Sequence, residues 1–80
     1  MRSESIRTEV SRMVRQAPFQ TFVLNLENGD RVAIGHPENI AFVPEGKSMD
    51  FYVITDSIRF FGTFDAVTSV ATADSVEHLA

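Results

Sequence analysis

The only grouping in this 80-residue sequence with the makings of an acid–base site is His36-Pro37-Glu38. An imidazole beside a carboxylate could serve as a general base or a metal ligand. The local pattern favours a structural role instead. His36 closes a strand, Pro37 cannot donate to a ladder, and Glu38 and Asn39 cap the bend that follows. With His36 and His78 as the two histidines and no cysteine, a metal site would need carboxylates from scattered loops. Gly29, Gly35, Gly46 and Gly62 stand alone, so no glycine-rich phosphate cradle is present. No hydroxyl is set beside a base that would activate it. The residues predict a protein without catalytic, metal or cofactor chemistry.

The other charged feature is electrostatic. Residues 1–18 carry Arg2, Arg7, Arg12 and Arg15 against Glu4 and Glu9, while residues 19–80 carry three bases against nine acids. That body, at a local −6 within a chain of net charge −4, repels polyphosphate at long range, which disfavours RNA as a partner. Only the first segment could attract an anion. Glu4/Arg7 and Glu9/Arg12 sit at i, i+3 and would pair on a solvated helix face. Arg7, Arg12 and Arg15 form the candidate face for an acidic partner, which copies in an oligomer would multiply.

The elements that must position these groups follow from periodicity. Ile6, Val10, Met13, Val14 and Ala17 make one apolar stripe at helical spacing, predicting a helix over 4–17, capped by Ser3 and stopped by Pro18. From Phe19 the period becomes two. Asn28-Gly29 predicts a type I′ hairpin turn between this alternating strand, with Phe22, Leu24 and Leu26 set against Thr21, Val23, Asn25 and Glu27, and a return strand from Arg31 to His36. Further strands are expected at Ile40–Val43, Phe51–Thr55, Ile58–Phe64 and Val67–Ala71, with a turn near Asp56-Ser57 and another at Asp65-Ala66. One domain spans 1–80: helix 4–17, strands within 19–72 and a short polar tail at 73–80. The expected architecture is mainly β with one N-terminal α-helix, its strands closing into a small, strongly bent five-stranded antiparallel barrel.

Several of these strands are apolar on both faces. Ile40-Ala41-Phe42-Val43, Phe51-Tyr52-Val53-Ile54 and Phe60-Phe61 cannot all be covered by a three-turn helix. Leaving such side chains in water forfeits roughly 1.5–3 kcal/mol each. The outer faces are therefore expected to bury against neighbouring subunits, with Phe51, Tyr52, Val53, Phe60, Phe61 and Val70 as the candidate interface. An 8.9 kDa chain without disulfides has reason to gain stability by association. The lack of cysteine, of an apolar run long enough for a membrane and of a signal-like start predicts a cytoplasmic location.

Two resemblances follow. Residues 18–40, PFQTFVLNLENGDRVAIGHPENI, resemble a group of short bacterial proteins with a Pro-Phe-x-x-Phe start, an Asn/Asp-Gly turn and a strand ending in His-Pro-Glu. That resemblance implies no activity. VLNLENGDRV, from Val23 to Val32, is similar to the first motif of the Sm-like proteins, and Ala66 to Ala71 to the last strand of the Hfq-like RNA chaperones among them. This likeness implies a helix followed by a five-stranded barrel, and a ring of subunits joined strand to strand. It also implies pore-facing basic residues, and here the sequence departs. Phe64 and Asp65 stand where the Hfq pattern has a lysine and a histidine, and Arg59 is separated from Gly62 by two phenylalanines.

The functional expectation is a non-enzymatic, self-associating binding or scaffold module. The alternatives are an atypical single-stranded RNA binder of the Hfq type and an accessory subunit docked through Phe60, Phe61 and the Phe51–Thr55 strand.

Overall fold

A computed structural model of the chain describes residues 2–72, so the polar tail expected at 73–80 lies outside the described residues. The helical stripe becomes α1, Arg2–Val14, with Val10 and Met13 buried and Ile6 and Val14 packed against the core from its margin. The helix ends three residues earlier than the stripe suggests. Its last bonds, Arg15 N–H to Ser11 O and Gln16 N–H to Met13 O, are both long at 3.3 Å, and the chain then turns at a cis Ala17–Pro18 bond. It also begins earlier, so Ser3 is no cap. The Ser3 hydroxyl instead donates to Asp65, and the Arg2 guanidinium donates to Thr68 O at 2.8 Å. Both contacts hold the start of α1 to the far end of the chain.

Six strands follow: β1 Phe22–Leu26, β2 Arg31–Ile34, β3 Ile40–Phe42, β4 Asp50–Ile54, β5 Arg59–Thr63 and β6 Val67–Thr72. They do not close into the expected five-stranded barrel. They form two separate antiparallel sheets of three, ordered β2-β1-β6 and β3-β4-β5, with no strand common to both. The physical reason lies at two short 3-10 turns. A bent barrel would need strand pairing to run through the corner after Ile34, and there Pro37–Asn39 coils instead. The chain returns from the second sheet to the first through the matching turn Phe64–Ala66, where Thr63 Oγ1 accepts from Asp65 N–H.

Asn39 holds the first corner. Its Oδ1 accepts from His36 N–H and its Nδ2 donates to Ile54 O, each at 3.0 Å, so one side chain ties the turn to the end of β4. Asn39→Ala removes both bonds and is expected to lower stability by about 1–2 kcal/mol, read as a lower urea midpoint with an unchanged slope. Asn39→Asp keeps the acceptor and should lose less.

The β1–β2 hairpin is closed by a different turn from the one the Asn-Gly pair suggests. A type I′ turn needs positive φ at both central residues, yet only Gly29 has it, at 92°. Gly29 N–H donates to Leu26 O and Leu26 N–H to Asp30 O, both at 2.9 Å, which makes a three-residue loop of Glu27, Asn28 and Gly29. Asn28 Oδ1 accepts from Asp30 N–H at 2.9 Å and steadies it. The predicted turn after β4 does form: Thr55 N–H bonds Ile58 O at 2.9 Å, and Thr55 Oγ1 accepts from the backbone of Ser57 and Ile58.

The core is shared by helix and both sheets. Phe22, Leu24, Val32, Ile34 and Val67 come from one sheet, Phe51 and Val53 from the other, and Val10 of α1 and Phe64 of the second 3-10 turn complete it. Four phenylalanine rings run through it: Phe64 lies 5.3 Å from Phe42 and 4.8 Å from Phe51, and Phe51 lies 5.9 Å from Phe60. Gly62 sits beneath this group. A Cβ there would stand 2.6 Å from the Phe60 ring and 3.3 Å from that of Phe51, so the position is kept free for the rings.

Candidate functional site

The surface with most to explain is the outer face of the β3-β4-β5 sheet. Its make-up follows from strand parity. On β4 the pattern is strictly alternating, with Phe51 and Val53 buried and Asp50, Tyr52 and Ile54 exposed. On β5, Arg59 and Phe61 are exposed and Phe60 is half-buried. The register sets Ala41, Tyr52 and Phe61 in one row across the three strands, Ile54 opposite Arg59, and Asp50 opposite Thr63. Tyr52 and Phe61 meet edge to face at 6.1 Å. Phe61 is 69% exposed, Ile54 48% and Tyr52 40%, with Val43 and Ile58 exposed at the margins.

This revises the interface expected from sequence. Tyr52 and Phe61 are on the open face. Phe51 and Val53 are core residues at 1% and 0% exposure, because they share the parity that faces α1 and the first sheet. Phe60 and Val70 pack half-buried against the same core. Ile54 belongs to the face by the same parity as Tyr52, and Val43 and Ile58 are exposed in the flanking segments. The parity of the flanking charges carried that information. Asp50 marks one side of β4 as solvent-facing and Arg59 does so for β5, which assigns Ile54 and Phe61 with them.

The three-arginine face is not assembled. Arg7 is buried at 7% exposure, turned inward beside Ile6 and Val10, where one terminal nitrogen donates to Gly46 O at 2.9 Å and Ser48 O at 2.7 Å. It makes no pair with Glu4 among the described residues, and its Nε has no partner. Arg12 does pair with Glu9 as the spacing predicts, and that hydrogen bond and charge hold its guanidinium above its ordinary pKa. Arg15 stays exposed at the end of the helix. It borders a shallow groove of about 310 Å³ between α1 and β3, otherwise lined by Ser11, Val14, Ile40, Ala41, Phe42 and Pro44. Arg15 is the one ionisable group on that groove.

His36 and Glu38 are both exposed, at the start and middle of the first 3-10 turn. No bond joins their side chains among the described residues, and no cluster of three or more His, Asp or Glu that could hold a metal occurs there. Asn28 and Gly29 do the turn-forming work described above. No helix among the described residues is long and apolar enough to cross a membrane. The chain matches no known family model, no curated protein and no solved structure.

Proposed function

We propose that this chain is a non-catalytic binding and scaffold module that works by self-association, with the outer face of the β3-β4-β5 sheet as its working surface. The observation that carries the reading is the Tyr52–Phe61 pair, flanked by Ile54 and standing in water at the centre of an ordered sheet. Single exposed apolar residues are ordinary, but a contiguous apolar patch on a domain this small marks a contact surface. Its burial would return roughly 1.5–3 kcal/mol per large side chain, which is sizeable against the stability of a domain of this length.

Sedimentation velocity at micromolar concentrations tests it. The parent chain is expected to run above monomer mass. Phe61→Lys is expected to run as a monomer with unchanged circular dichroism, because Phe61 contributes little to the chain's own core. A monomeric parent throughout that range would overturn the reading.

A further inference from the structure

We infer that the partner on this face is a second copy of the chain, docked sheet on sheet about a two-fold axis that lies in the interface and crosses the strands at the Tyr52–Phe61 row. The inference rests on the proposed self-association and specifies its geometry. It starts from the two charges on the face. Asp50 stands at one end of β4, and Arg59 stands opposite Ile54 at the other end. Four residues of strand separate the two ends, about 13 Å, so the two side chains of one copy cannot meet across the apolar centre. Neither makes an ion pair among the described residues, although both are exposed.

An axis across the strands exchanges the two ends. It brings Asp50 of each copy to the end where Arg59 of the other stands, so two cross-copy pairs form at once while the aromatic rows stack between them. This is the self-complementarity an isologous contact requires. The other in-plane choice, an axis along the strands, keeps each end over itself and sets aspartate near aspartate and arginine near arginine. The charges therefore select one two-fold arrangement and oppose the other. The apolar centre supplies the attraction and the end charges supply the register.

The spacing agrees: stacked sheets lie about 10 Å apart, within the combined reach of an aspartate and an arginine.

Charge reversal and its repair test the geometry. Sedimentation velocity across a concentration series would compare the parent chain, Asp50→Arg, Arg59→Asp and the double reversal, with circular dichroism confirming that each is folded. Each single reversal creates two like-charge contacts and should raise the dimer dissociation constant by about tenfold or more. The double reversal restores both pairs with swapped signs and should return it to within about threefold of the parent. Single reversals without effect, a double reversal no better than the singles, or a parent assembly larger than a dimer would overturn the two-fold arrangement. If Phe61→Lys still dissociates the assembly in those cases, the face remains the contact surface and only its geometry falls. A monomeric parent removes both.

Discussion

Arg7→Ala is expected to lower the free energy of unfolding by about 2–3 kcal/mol, although the residue bears on no surface site. The guanidinium ties α1 to the loop joining β3 to β4. It donates to two carbonyls of that loop, Gly46 O and Ser48 O. The loop needs such a tie, because no strand runs through 43–49 and Gly46 holds a positive φ of 102°. Alanine also removes a buried stem. Water can reach part of the loop, which moderates the loss. Against roughly 4–12 kcal/mol for a domain of this length, the effect remains large. Arg7→Met keeps most of the stem and removes only the donors, so it should cost about 1–2 kcal/mol. Urea denaturation of both variants measures the two contributions separately. A change below about 0.5 kcal/mol for Arg7→Ala would show that the tie contributes nothing to stability.

Phe64→Ala should cost more, about 3–5 kcal/mol, and leave the domain marginal or unfolded at room temperature. Phe64 is fully buried, its ring set between Phe42 and Phe51, and its backbone N–H donates to Met49 O at 2.7 Å. It sits in the turn where the chain leaves one sheet for the other, so its ring fills the gap between them. Truncation would leave a cavity bordered by both sheets, which neither can close alone. Phe64→Leu retains most of the volume and should lose about 1–2 kcal/mol. Thermal melts followed by far-ultraviolet circular dichroism give the comparison. A cooperative melt for Phe64→Ala within a few degrees of the parent would remove Phe64 from its central place in the core.

These two residues also show where the sequence could and could not be read. The helix, every strand position and the turn at Asp56-Ser57 were legible because periodicity and turn chemistry are local. Strand parity was legible wherever a charge marked the solvent side, as Asp50 and Arg59 do. Arg7 was not, because helical spacing places it next to the stripe without saying whether a loop will arrive to accept its donors. Phe64 looked like the end of a strand, since Thr63 and Phe64 continue an extended apolar run until the Asp65 turn is seen to begin one residue early. The barrel failed for a similar reason. Strand count and length are nearly the same for a closed barrel and for two small sheets. What separates them is whether pairing runs through the corners, and that depends on bonds such as Asn39 Nδ2 to Ile54 O between residues fifteen apart in sequence.

The division into two sheets also has a consequence in time. The β3-β4-β5 sheet is a continuous meander within residues 40–63, so all its pairings are made between neighbours along the chain. The other sheet is drawn from both ends: β1 pairs with β2 across one short loop, but Phe22 also pairs with Thr72, fifty residues later. Closing that larger loop costs more chain entropy, and the cost is recovered only once the ladder and the Val67 and Val70 contacts form. On a chain emerging from the ribosome, the meander can be complete while β1 still has one open edge. Until the β1–β6 ladder closes that larger loop, β1 presents one unpaired edge.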